Sequence, residues 1–210
     1  MHATWYFDVI SPYAYLHFKQ FPQLPASLAI EYRPVLFAGL LKHWGTKGPA
    51  ELPAKRIHTY RQCVWTAQSL AIPFRMPPRH PFNPLPILRL LIALGPTHER
   101  VATAFDFVWR DGHDPAEDWP VLCERLGVES NTPLIQDATV KQTLLDNTAA
   151  AAAQGVWGVP TFEVAGELFW GADTVDWLKA FLADPTLFQS PAMQRASTAG
   201  IAAARREAST

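Results

Sequence analysis

Ser11 is placed where a hydroxyl could do chemistry. The segment T-W-Y-F-D-V-I-S-P-Y-A-Y-L at 4–16 begins as aromatic and β-branched residues, the composition of a buried strand. It breaks at Ser11-Pro12 and resumes as a helical pattern, with Pro12 at a first helical position where its missing N–H costs nothing. The first amides and the dipole of such a helix favour an anion beside Ser11. The same serine is also an ordinary N-cap, and capping and catalysis are compatible. Val159-Pro160, in W-G-V-P-T-F at 157–162, is the second stretch. A proline belongs at a strand's first residue or on an edge, and this bond is a candidate for the cis form. The Val159 backbone would then face outward, where it could pair with a bound peptide. Asp173, in G-A-D at 171–173, is the third, either a ligand-binding carboxylate or the cap of the last helix. Cys63 and Cys123 form no C-x-x-C and read as ordinary buried thiols. The seven histidines show no metal spacing, so no metal site is expected.

The elements that must position these residues follow from the pattern. Thr4–Ile10 is expected as a strand, Ser11–Gln20 as a helix, and Leu28–Leu36 as a second strand parallel to the first. No G-x-G-x-x-G accompanies this βαβ opening, which argues against a dinucleotide fold. Helices are expected over Phe37–Trp44 and Pro53–Leu70, the latter with Ile57, Tyr60, Val64 and Ala67 on one face. A proline-rich, extended connector spans Ile72–Pro86. Further helices cover Leu85–Leu94, His98–Trp109, Asp118–Leu126 and Thr132–Gln154. Strand character returns in a hairpin, Thr161–Val164 and Leu168–Trp170, turning at Ala165-Gly166, before a helix over Thr174–Leu182. The tail from Gln189 reads as frayed, partly helical or disordered.

Composition bounds the rest. A chain of 210 residues, 49% hydrophobic with eight Trp and twelve Phe, is long and apolar enough for a substantial core. A net charge of -1 suggests neither nucleic acid nor an anionic membrane as main partner. No signal-peptide pattern or membrane span interrupts it, so a cytoplasmic location is expected.

The sequence resembles the DsbA-like thioredoxin superfamily, and within it the kappa-class glutathione transferases and the 2-hydroxychromene-2-carboxylate isomerases. The resemblance is carried by F-D-V-I-S-P-Y-A-Y-L at 7–16, P-A-K-R at 53–56, P-F-R-M-P-P-R-H-P-F-N-P-L-P at 73–86, G-V-P-T-F at 158–162 and L-F-W-G-A-D at 168–173. The F-N-P-L-P segment brings the isomerases closer. The implied fold class is α/β. Residues 1–37 and 155–188 would form a discontinuous thioredoxin-like βαβ…ββα domain, 38–154 an all-helical insertion, and 189–210 a tail.

The resemblance also implies roles. Ser11 and Ala14 occupy the two cysteine positions of a thiol oxidoreductase, so disulfide exchange through this motif is impossible. Ser11 would instead hydrogen-bond the thiolate of glutathione, the implied cofactor, and lower its pKa. Val159, before Pro160, would pair with the cysteinyl part, Asp173 would hold the γ-glutamyl ammonium with Thr174 assisting as a cap, and Lys55 would face the glycyl carboxylate. Thr46 stands where the family often has Asn. Asn83 would reach the second substrate, whose aromatic ring could be lined by Trp5, Tyr13, Phe37, Trp44, Phe82 and Trp109, and whose carboxylate could meet Lys47, Arg79 or Arg89. The implied reaction is isomerisation of 2-hydroxychromene-2-carboxylate or a related arylidene pyruvate. Thiolate addition makes a double bond rotatable, and expulsion returns glutathione unchanged. A homodimer is implied. A kappa-class-like glutathione S-transferase is the alternative, and a non-catalytic binding protein that kept the fold is another.

Overall fold

The computed structural model describes residues 1–200. Four strands, β1 (His2–Phe7), β2 (Ala29–Pro34), β3 (Thr161–Val164) and β4 (Glu167–Trp170), form one sheet in the order β2-β1-β3-β4. β2 runs parallel to β1, as expected from the short helical crossover between them, whereas β3 and β4 are antiparallel additions. The hairpin turn uses positive φ at both Ala165 (53°) and Gly166 (87°), matching the twist of the flanking strands. Helix α1 (Pro12–Phe18) joins β1 to β2. Between β2 and β3 lie α2 (Phe37–Trp44), α3 (Pro53–Ser69), α4 (Leu85–Leu94), α5 (His98–Phe105), α6 (Trp119–Arg125) and α7 (Ala138–Ala153). α8 (Val175–Ala183) and α9 (Pro191–Ser197) follow the hairpin. No helix among the described residues is long and apolar enough to cross a membrane.

Alternation along β1 gives the sheet two buried faces. Ala3, Trp5 and Phe7 enter the larger core, where Trp5 and Phe7 stack on each other, Phe105 of α5 lies tilted against both, and Ile87, Leu88, Leu91 and Trp109 join the same cluster. Tyr6 enters a smaller cluster with Val35, Leu40, Ala151 and Val159. The central strand is therefore buried on both sides, which is why it reads as an unbroken apolar run.

Several boundaries differ from the sequence reading. β1 ends at Phe7 because Asp8 turns the chain, its carboxylate accepting the Ile10 N–H at 3.0 Å. The segment 132–154 is not one helix: a 3-10 turn at Pro133–Gln136 precedes α7, and Asp137 caps α7 by accepting the Val140 N–H at 3.0 Å. α5 widens into a π-helical turn at Asp106–Arg110, where the Asp111 N–H donates to the Asp106 carbonyl at 2.9 Å. The buried stripe of α3 is Thr59, Cys63 and Ala67, while Ile57 (52% exposed) and Val64 (38%) face outward. Small residues let α3 approach α1 closely, and the apolar periodicity pointed to the wrong face. The tail forms α9, and residues 201–210 lie outside the described residues.

Candidate functional site

Register places the singled-out residues at one end of the sheet. Tyr6 of β1 lies opposite Thr161 of β3, and Thr161 lies opposite Trp170 of β4. The chain leaving β1 toward Ser11, the chain entering β3 through Val159-Pro160, and the chain leaving β4 through Gly171-Ala172-Asp173 therefore emerge together. Side bonds tie them. The Gly171 N–H donates to the Pro160 carbonyl at 2.9 Å, and the Gln20 amide donates to both Leu16 and Ala172 carbonyls at 3.1 and 3.0 Å. Tyr13, on the first turn of α1, donates to Gln62 of α3 at 2.8 Å, and burial pushes its hydroxyl up to about 12, with Cys63 and Asp173 adding smaller contributions.

Ser11 is 6% exposed and is the N-cap of α1, with φ -88° and ψ 115°. Its Oγ accepts the Ala14 N–H at 3.2 Å. A hydroxyl has one proton and two acceptor sites, so this cap leaves the proton free to be donated elsewhere.

Val159-Pro160 is cis. Val159 is 6% exposed, and neither its N–H nor its C=O takes a partner among the described residues. A buried amide left unpaired costs about 1–3 kcal/mol, so this edge suits a ligand that brings a peptide-like donor and acceptor. Gly158 matters beside it: a Cβ there would meet Trp170 Nε1 at 2.7 Å. The Asp173 carboxylate is exposed and tucks over Gly171, where φ is +108° and a Cβ would lie 2.5 Å from Asp173 Oδ1. Only glycine suits that position. These features suit a small peptide-like ligand: an unpaired peptide edge, a hydroxyl with a free proton, and an exposed carboxylate for an ammonium group.

Of the other candidates, Thr174 adjoins this cluster, and the rest make no bond to it through Ser11, Val159 or Asp173 among the described residues. Thr174 is the N-cap of α8 by position only; its hydroxyl donates to the Gly171 carbonyl at 2.9 Å and caps nothing. Lys55 and Thr46 are exposed, and their side chains make no hydrogen bond or ion pair among the described residues. Arg79 is held by Asp114 and Glu117, so its guanidinium is already neutralised. Asn83 is exposed and accepts the Leu85 N–H at 3.1 Å, the plain turn that opens α4. Trp44 is half-exposed and donates to the Val156 carbonyl at 2.9 Å, three residues before Val159. Trp5 and Trp109 are fully buried core and line no open pocket.

Groups missed by sequence reasoning surround the turn that carries Ser11. The wholly buried Asp8 carboxylate accepts from Ile10 N and from Phe37 N, at 3.0 and 2.9 Å. The Ser11 N–H donates to the Asp8 carbonyl at 3.1 Å. Trp109 Nε1 donates to the Val9 carbonyl at 2.8 Å, and His80 Nε2 lies 2.8 Å from the Ile10 carbonyl. A charged residue closing an otherwise apolar strand was the only local signal, and it pointed to Asp8 alone.

Comparison with known proteins agrees with this frame. The profile of the DSBA-like thioredoxin domain matches residues 4–183. Glutathione S-transferase kappa 2 of Caenorhabditis elegans is 26% identical, over 92% of this chain and 96% of that protein. The 2-hydroxychromene-2-carboxylate isomerase of Sphingobium xenophagum is 25% identical, over 85% of this chain and 96% of its own length. A solved structure of a 2-hydroxychromene-2-carboxylate isomerase superposes with a TM-score of 0.75 at 23% identity, covering 95% of this chain and all of that one, a likeness of fold.

Proposed function

The chain belongs to the DSBA-like thioredoxin domain family, and from that premise we propose that it is a glutathione-dependent isomerase of 2-hydroxychromene-2-carboxylate or a related arylidene pyruvate. Such an enzyme would act in the cytoplasm, as a homodimer, in the breakdown of aromatic compounds. The observation that supports this reading is the meeting of the Ser11 hydroxyl with the unpaired, buried Val159 backbone, beside the exposed Asp173 carboxylate. Glutathione, when bound, would supply a thiolate nucleophile that adds to the substrate and leaves again.

The chain's own groups do the rest. Val159 pairs with the peptide part of the tripeptide and fixes where its sulfur lies. Asp173 meets the ammonium end, held in place by the Gly171 turn. Ser11 donates its free proton to the sulfur, which favours thiolate over thiol. Ala14, on the following turn of α1, brings no second thiol into reach. Lys55 remains the proposed partner of the glycyl carboxylate, with Thr46 and Thr174 at the margins, and Asn83 and Trp44 on the second-substrate side.

Calorimetry with glutathione tests this on the wild type, Ser11→Ala and Asp173→Ala. The expected result is binding by the wild type that Asp173→Ala weakens at least tenfold. Ser11→Ala should still bind, with loss of turnover on 2-hydroxychromene-2-carboxylate. Absence of wild-type binding would overturn every glutathione-based reading and return the weight to a non-catalytic binding protein. The second reading, a kappa-class-like transferase, is favoured by the likeness to the nematode enzyme. The two separate on consumption: an isomerase needs glutathione only in catalytic amounts, whereas a transferase uses one per turnover.

A further inference from the structure

Two consecutive peptide units lead into Ser11, and each is held at both ends. In the Val9–Ile10 unit, the carbonyl accepts from the Trp109 indole and the N–H donates to Asp8 Oδ1. In the Ile10–Ser11 unit, the carbonyl meets His80 Nε2 and the N–H donates to the Asp8 carbonyl. A peptide fixed at both ends cannot flip, so the orientation of the Ser11 side chain is set before any ligand arrives. Two of those four partners, Trp109 and His80, come from the region between β2 and β3.

His80 is itself strapped down. It lies on the connector between α3 and α4, whose Arg75 N–H donates to the Trp109 carbonyl at 2.7 Å. The Tyr15 hydroxyl donates to the Pro73 carbonyl, and Arg79 is locked to Asp114. The imidazole packs edge-on against Trp109 and Phe82. A carbonyl carries no proton, so the bond to Ile10 requires the proton on Nε2. Nδ1 is then the acceptor, and the Tyr60 hydroxyl stands 2.6 Å from it. The same hydroxyl stands 3.0 Å from the His80 carbonyl, and when its proton goes to the nearer Nδ1 it favours the tautomer that can hold Ile10; Tyr60 is the only titratable group in hydrogen-bond contact with this ring among the described residues. Burial pushes His80 below its ordinary value, which keeps the imidazole neutral.

We propose that His80 is a positioning residue for Ser11, acting through the Ile10 carbonyl, with Tyr60 fixing its tautomer. The effect on the thiol rests on the glutathione reading above; the effect on the turn does not. The variants are His80→Leu, which removes the donor, His80→Gln, which restores an N–H at similar reach, and Tyr60→Phe, which removes tautomer selection. Amide hydrogen exchange of ligand-free protein reads the turn directly. Exchange at Ile10 and Ser11 should rise at least tenfold in His80→Leu, less in Tyr60→Phe, and return toward wild type in His80→Gln, while β1 and β3 amides stay protected. Titration of bound glutathione by its thiolate absorbance reads the consequence. His80→Leu should lower the thiolate fraction near neutral pH, because a hydrogen bond from a misplaced donor weakens steeply. In a Ser11→Ala background His80→Leu should produce no further change. Unaltered exchange at Ile10 and Ser11 in both His80→Leu and Tyr60→Phe would overturn the proposal. So would a thiol shift of equal size with and without Ser11. If glutathione does not bind the wild type, the functional reading fails, while the exchange arm still decides whether His80 holds the turn.

Discussion

Asp8 and His17 are both wholly buried, and their titrations oppose one another. Burial pushes the Asp8 carboxyl up to about 7, against the pull of the Ile10 and Phe37 amides. Burial pushes His17 down to about 3; its Nδ1 accepts from Trp5 at 3.3 Å, and its Nε2 finds no partner among the described residues. In the unfolded chain these groups titrate near 3.9 and 6.5. Between about pH 4 and 6.5 the unfolded chain has therefore lost the Asp8 proton that the native state keeps, so Asp8 lowers stability as pH rises. Over the same interval the unfolded chain holds a His17 proton that the native state lacks, so His17 raises stability as pH rises. His80 acts with His17, and Asp111, held down to about 2 by Arg110 and Arg125, acts only in stronger acid. Each group's slope is bounded near 1.4 kcal/mol per pH unit. Urea unfolding of the wild type should therefore show stability rising with pH across this interval, because two imidazoles oppose one carboxyl. His17→Leu should flatten that rise, leaving His80 against Asp8, and Asp8→Asn should steepen it; equal slopes in all three proteins would refute the assignment. None of this was legible beforehand, because a side chain's burial on both flanks is a property of the closed fold.

At the scale of elements, the turn after β4 and the face of α3 carry separate expectations. Gly171→Ala places a methyl group against Asp173 Oδ1 at a φ of +108°, so it should cost about 1–3 kcal/mol and weaken glutathione binding more than tenfold, as seen by thermal unfolding and calorimetry. On α3, Ile57→Ala and Val64→Ala should change stability by no more than about 0.5 kcal/mol. Ala67→Leu should cost about 1–3 kcal/mol, because it enlarges the stripe that meets the core. Chemical denaturation of the three variants checks the corrected face. Local grammar made much of this scale readable: Phe37–Trp44 and Leu85–Leu94 have the expected bounds, and the Ala165-Gly166 turn and the parallel β1–β2 pair are where the pattern put them. Ser11 and Val159-Pro160 were visible for the same reason, since proline and a capping hydroxyl act on their immediate neighbours. His80 and Trp109 were not, because each meets its carbonyl across 70 and 100 residues, a pairing that closure of the fold creates.

For the whole molecule, one buried cluster runs from Trp5, Phe7 and Phe162 of the sheet through Ile87, Leu91, Phe105 and Leu122 of the helices between β2 and β3. We propose that 1–37 with 155–188 and the intervening 38–154 are regions of one cooperative unit, and not domains that fold alone. Calorimetric and van't Hoff enthalpies should agree within a single thermal transition; two resolved transitions would show that the helical region melts by itself. The resemblance gave the discontinuous outline, but which apolar faces merge is settled only by packing.

The tethering of the Ser11 turn also bears on how the protein is made. Ser11 leaves the ribosome roughly 160 residues ahead of Asp173, an interval of about 8–32 s at ordinary rates of synthesis. The imidazole and indole that hold its turn follow roughly 70 and 100 residues later, whereas the Val159-Pro160 edge and Asp173 come only at the end of that time. A nascent chain halted before Val159 would carry the serine without the backbone edge and the carboxylate that complete the proposed site. On the glutathione reading, the proposed activity would be complete only once the last strands are in place, and a product truncated before Val159 would lack it.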